Sequence, residues 1–252
     1  MMETIIYIKS QRINYLKIGN GANKILLLPG SFGTIWKDFK PQIEGLDKNK
    51  FTILVVDPPG QGYSRPPERV ITPKMFEQNA DILYELIKVL AFEPFSLLGW
   101  CNGGISSMIF AAKYPESISK LIIWGSHSYI DTKQLITYEK IRDIRNWPQK
   151  ALLPQLEIFG EKLLQDLQNK CDVMLEISKN GGDICCSSLK KIQSPTLILH
   201  GCNDAFLDKE QAEYLVENIK NTKLYVFPEG KHQLHLQFSE EFNAVITNFL
   251  LN

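Results

Sequence analysis

Two hydrophobic patterns alternate along the chain. Short runs dense in Ile, Leu and Val occur at "KILLLP" (24–29), "FTILVVD" (51–57), "PFSLLGW" (94–100), "KLIIWGS" (120–126) and "PTLILHG" (195–201). Consecutive apolar positions bounded by turn residues predict strands buried on both faces. Near the start, "ETIIYI" and "INYLKIG" are separated by a turn and predict an antiparallel pair, and "TKLYVFP" (222–228) predicts a last strand, which makes eight. Between the strands the period changes. Phe76, Ala80, Leu83, Ile87 and Leu90 recur at helical spacing and predict a helix over 74–91, opened at Thr72-Pro73. Ile105, Met108, Ile109 and Ala112 mark one face of another helix. Two more are predicted near 208–219, with Asp208 as N-cap, and near 236–251.

Strands alternating with helices imply an α/β fold: a mostly parallel eight-stranded sheet with helices on both faces. The alternation stops over residues 127–190, where helical periodicity continues without a convincing strand. That segment is expected to be a helical cap over the carboxyl ends of the strands, where such sheets bind ligands. The core is then 1–126 together with 191–252.

Composition narrows the function classes. The 252 residues suit one α/β domain with an insertion, and 44% hydrophobic content supports a sizeable core. Lys and Arg total 28, and Asp and Glu total 28, with no basic stripe. Nucleic acid and membrane surfaces are therefore not expected partners. Five cysteines without C-x-x-C spacing predict neither a zinc site nor a disulfide framework, so no metal or other cofactor is expected. Reduced thiols and the absence of a leader pattern predict a cytoplasmic protein, as a monomer or weak homo-oligomer.

The candidate chemistry sits where a strand turns tightly into a helix. "GWCNG" (99–103) has the form G-x-C-x-G, a nucleophile elbow with cysteine at the apex. Such a turn lifts the apex side chain above the sheet, beside a helix N-terminus. The competing reading of Cys101, a small buried hydrophobe, does not explain its apex position. The backbone N–H of Asn102 and that of Ser31, after "LLLPG", are the expected oxyanion donors. A base and its orienting acid should follow in the order acid, then histidine. Asp204 lies just past one strand and His232 just past the last. Asp57 also ends a strand, but its "DPPGQG" turn suits a structural role. His200 is expected to pack in its strand, and His235 to lie on the final helix. His127 is expected to line the pocket under the cap, with Trp100 and Trp124 at its floor and Trp147 reaching it from the cap.

With those residues in place, the chain resembles the α/β-hydrolase superfamily, and within it the biphenyl hydrolase-like, or valacyclovir hydrolase, proteins. The resemblance is carried by "LLLPG", "FTILVVDPPGQGYSRPPER", "SLLGW" with "GGI" and "AAKYP", "IIWG", "YEKIRD" and "PEGKHQLHL". It implies the α/β-hydrolase fold and a Ser-Asp-His triad, with Cys101 at the serine position, Asp204 as the acid and His232 as the base. It also implies a small ester-like substrate. Three departures stand out. Cysteine replaces serine, and Asn102 stands where amino-ester hydrolases carry an aspartate for the substrate's ammonium group. Ala205 and Asp208 replace two prolines of a "DPLVP"-like loop. Hydrolysis of a small carboxylic ester, lactone or thioester through an acyl-enzyme is the expected function. A catalytically impaired homologue that binds a small ligand, and hydrolysis of a C–C bond as known in the wider family, are the alternatives.

Overall fold

Side chains on successive strand residues go to opposite sides of one sheet. The computed structural model describes residues 2–252. Its strands are β1 (Thr4–Ile8), β2 (Gln11–Ile18), β3 (Asn23–Leu28), β4 (Phe51–Val56), β5 (Phe95–Trp100), β6 (Ile118–Trp124), β7 (Thr196–Gly201) and β8 (Thr222–Phe227). They form one eight-stranded sheet in the order β1-β2-β4-β3-β5-β6-β7-β8. β1 pairs antiparallel with β2, and β2 antiparallel with β4; every later pairing is parallel. The central strands β5 and β7 are buried at every position, whereas β8 at the edge alternates.

The two faces are covered by different helices. Ile25 and Leu27 of β3 pack with Ile35, Phe39 and Ile43 of α1 (Ile35–Gly45) and with Phe242, Ile246 and Leu250 of α10 (Ser239–Leu251). Leu26 and Leu28 face the other way, into the cluster of Phe76, Leu83 and Ile87 from α2 (Met75–Val89) and Ile105 and Met108 from α3 (Asn102–Lys113). This sorting follows from the two-residue period of a strand.

Between β6 and β7 lie α4 (Thr132–Ile141), α5 (Gln149–Phe159), α6 (Lys162–Lys179) and the short α7 (Cys186–Leu189). The chain enters and leaves this helical insertion side by side. Ile130 N–H donates to the Gly182 carbonyl at 2.9 Å, and Ile184 N–H to the Ser128 carbonyl at 3.0 Å. Phe159 packs edge-on against Phe32 with ring centres 5.3 Å apart, holding the insertion to the loop after β3.

One local expectation holds in position only, and one is corrected. Asp208 stands at the N-cap of α8 (Lys209–Asn218), but its carboxylate makes no capping bond; it pairs with Lys133 Nζ at 2.7 Å. His235 is not on the last helix. It lies on the separate turn α9 (Leu234–Gln237), fully buried, where its Nδ1 accepts from Trp124 Nε1 at 2.9 Å. Among the described residues, no helix is long and apolar enough to cross a membrane.

Candidate active site

Cys101 sits between β5 and α3 with φ 53 and ψ −118. Those angles are uncommon for a residue with a Cβ and are held by the surroundings. Its N–H donates to the Trp124 carbonyl at 3.0 Å, and its carbonyl accepts from Gly104 N–H at 3.0 Å. Two glycines let the elbow form. A Cβ on Gly103 would lie 2.3 Å from the Leu28 carbonyl oxygen, and one on Gly99 would lie 2.4 Å from Ser107 Oγ. The first turn of α3 therefore packs directly against the end of β3. As the first residue of α3, Asn102 carries one of the N–H groups that a helix leaves unpaired.

The base and acid arrive from two other strand ends. His232, in the loop after β8, pairs through Nδ1 with Asp204 Oδ2 at 2.9 Å, and the two side chains are only 14% and 2% exposed. The other carboxylate oxygen of Asp204 accepts from the N–H groups of Phe206 at 2.8 Å and Leu207 at 3.1 Å. Trp100 locks the histidine loop by donating from Nε1 to the His232 carbonyl at 3.1 Å. The imidazole faces the Cys101 thiol, and the charges reinforce one another. Burial alone would raise the Cys101 pKa, but His232, the charge of Lys170 and the Ser31 N–H bring it below the ordinary thiol range. Burial opposes a charged His232, but Asp204 and Cys101 overcome it and raise its pKa to about 10. Burial also opposes ionisation of Asp204, yet the histidine and the two N–H donors hold it below the usual carboxylate range. Each shift favours the charged form, thiolate, imidazolium and carboxylate.

The Ser31 N–H points at the sulfur, as an oxyanion donor at the elbow would. Its loop is held by donors and acceptors from three directions. Gly30 N–H donates to Asp38 Oδ2 at 3.0 Å, Phe32 N–H to Gln61 Oε1 at 2.8 Å, and Lys170 Nζ to Ser31 Oγ at 2.7 Å. Asp57 is structural. It is buried and accepts from Asn14 Nδ2, Ile35 N–H and Tyr63 N–H, each at 2.9 Å.

The structure brings Cys101, Asp204, His232, Ser31 and Asn102 together. His127 is buried, with neither ring nitrogen partnered among the described residues, and it senses the charges of both Lys170 and His232. Each of the three expected tryptophans has its indole N–H engaged, Trp124 on His235. The Trp100 indole is used to hold His232, and Trp147 donates to the Ile141 carbonyl at 3.0 Å within its own segment. Lys170 was missing from the sequence reading. It lies mid-way along the amphipathic α6, where a lysine reads as solvent-facing; in fact it is 6% exposed.

The comparisons agree with this geometry. The model of the alpha/beta hydrolase fold family matches residues 23–183. Serine hydrolase BPHL of Mus musculus is 39% identical over 247 residues, covering 97% of this chain and 85% of that protein. A 2-hydroxy-6-oxononadienedioate/2-hydroxy-6-oxononatrienedioate hydrolase of Escherichia coli is 25% identical, covering 96% of this chain and 92% of its own. Among solved structures, the enol-lactonase of Burkholderia xenovorans superposes with a TM-score of 0.77 at 18% identity, covering 99% of this chain and 100% of that one. Fold, elbow and sequence agree, and the chain belongs to the α/β-hydrolase fold family as a relative of the BPHL serine hydrolases.

Proposed function

We propose that this protein hydrolyses a small carboxylic ester, lactone or thioester through an acyl-enzyme on Cys101. The observation that carries the reading is the thiol at the elbow apex facing a histidine bonded to a buried carboxylate. The thiolate adds to the substrate carbonyl. The resulting oxyanion sits toward the N–H groups of Asn102 and Ser31, and the His232 imidazolium gives its proton to the departing alcohol or thiol. Water then adds to the thioester with His232 as base, and the thiolate leaves as the acid is released.

Sulfur sets the substrate class. A thiolate leaves a tetrahedral intermediate more readily than an alkoxide, so addition to a plain alkyl ester reverses. Aryl and enol esters, strained lactones and thioesters have leaving groups that compete with Cys101. An ester, lactone and thioester panel with wild type and Cys101→Ala tests the proposal, with mass spectrometry after rapid mixing. Turnover and an acyl adduct, both lost in the variant, support it; equal turnover in the variant refutes it. No turnover, no adduct and tight ligand binding would instead identify a binding protein. A second reading, C–C bond hydrolysis, is favoured by the Escherichia coli relative named for 2-hydroxy-6-oxononadienedioate. Adding that compound to the panel tests it through its consumption.

A further inference from the structure

The space beside the elbow has too many hydrogen-bond donors and too much positive charge for the groups that line it. Lys170 and Asn102 are 6% and 5% exposed. The Lys170 ammonium has one hydrogen-bond acceptor among the described residues, the Ser31 hydroxyl. Asn102 Nδ2 and Arg69 Nε are buried with no partner among the described residues. Arg69, Asn79 and Asn102 line one narrow cavity with Gly30 and Gly103, the residues flanking the candidate oxyanion site. With its amide turned so that the nitrogen donates to the Met75 carbonyl, Asn79 accepts from Arg69 Nη2 at 3.1 Å, which leaves Nε unanswered. The two cations lie close enough for each to feel other buried charge. Burial lowers the Lys170 pKa, Cys101 raises it and Arg69 lowers it again.

Each carboxylate nearby is already engaged. Asp204 holds His232 and two N–H groups, and Asp57 holds three donors. Asp38 accepts from Gly30 and is pushed by burial up to about 7. Asp166, the one acid whose charge reaches Arg69, pairs with Lys162 at 3.2 Å. The Cys101 thiolate and the Asp204 carboxylate together balance the His232 imidazolium and the Lys170 ammonium, which leaves the Arg69 guanidinium as the cation in excess. Buried cations without a matching anion are costly, as are buried donors without acceptors. Lys170 meets the edge of that cavity through Ser31, next to Gly30, and a carboxylate, with four lone-pair sites, accepts from several such donors at once.

Resting on the hydrolase reading above, we infer that the substrate carries a carboxylate, received by Lys170 with Arg69 and Asn102 beside it. The site is thus matched to an anionic ester or thioester, the opposite charge from an amino ester. Pairing a buried ammonium with a substrate carboxylate favours the anionic member of an isosteric pair on the order of 10²-fold in kcat/KM.

The test compares two such pairs. Phenyl hydrogen adipate against phenyl adipamate places the charge on the acyl side. 4-Carboxyphenyl butyrate against 4-carbamoylphenyl butyrate places it on the leaving group. In wild type, one pair should favour the anion on the order of 10²-fold, and Lys170→Met should cut that ratio by about tenfold or more, with Lys170→Arg retaining most of it. A lysine that serves only to hold the thiolate would slow both members alike and leave the ratio unmoved, which would overturn the inference. Ratios near one in wild type for both pairs would overturn it too, while leaving the hydrolase reading intact. A binding measurement on wild type alone avoids dependence on turnover or on a variant's folding. Adipate should protect Cys101 from iodoacetamide better than adipamide does. Such protection with no ester turnover would refute hydrolysis and keep the charge assignment; equal protection would refute the charge assignment.

Discussion

Asp204→Asn isolates the electrostatic role of the acid from its packing. The carboxylate is 2% exposed, and its Oδ1 holds the N–H groups of Phe206 and Leu207. An asparagine oxygen can keep both of those bonds. Its amide nitrogen then faces His232 Nδ1, where Asp204 Oδ2 now sits at 2.9 Å. An amide N–H donates to a lone pair, so His232 must carry its proton on Nε2, the edge toward Cys101. In that tautomer it cannot accept the thiol proton, and an imidazolium would set one N–H against another. Losing one partner of a buried charge pair costs about 2–5 kcal/mol. At about 1.36 kcal/mol per tenfold, kcat/KM should fall roughly 30- to 5,000-fold. The thiol reports the same change independently. In wild type its pKa is depressed, so alkylation by iodoacetamide should already be fast below the ordinary thiol range. In the variant, the imidazolium that stabilises the thiolate is lost, and the alkylation profile should move to higher pH. Stability should respond in two pH windows. The Asp204 contribution, from a depressed pKa, is present above the ordinary carboxylate value and is lost as pH falls through its folded value. The His232 contribution, from a raised pKa, is present below the ordinary imidazole value and is lost as pH rises through about 10. An alkylation profile identical to wild type, in a variant that melts as a folded protein, would refute the ion-pair account.

Peptide mapping after brief labelling at about pH 6.5 should find Cys101 modified first, because burial pushes the Cys171, Cys185 and Cys186 thiols up while the exposed Cys202 has no histidine bonded to its sulfur among the described residues. Cys101→Ser should raise alkyl-ester hydrolysis by at least about tenfold, since an alkoxide nucleophile no longer leaves ahead of the substrate's alkoxide; steady-state rates on ethyl and aryl esters check it. Asn102→Asp should lower the kcat/KM ratio of anionic to neutral esters by about tenfold, because the new carboxylate pairs with the cations beside it, while its charge raises the Cys101 pKa and lowers the overall rate. A ratio unchanged by that substitution would remove position 102 from charge selection.

Much of this site was legible in the chain because strand ends announce themselves. The apolar runs at 24–29, 51–57, 94–100, 120–126 and 195–201 each overlap an observed strand, and the elbow and Asp204 follow their ends. Burial on both faces demands unbroken apolar runs, and a tight turn demands small residues. The helix α1 escaped notice because Pro41 lies inside it and masks the spacing of Ile35, Phe39 and Ile43. Other features depend on how distant segments dock. Nothing local to Lys170 says that its helix turns it onto Ser31, 139 residues away in sequence. Nothing local to Asp208 says that Lys133 will draw its carboxylate from the helix terminus. Nothing local to Trp100 says that its indole N–H will meet the His232 carbonyl. Periodicity encodes which face of an element is buried, because burial is a one-body property of each residue. The partner a buried polar group meets is a property of two segments, and tertiary packing alone brought Lys170, Arg69 and Asn102 to the same elbow.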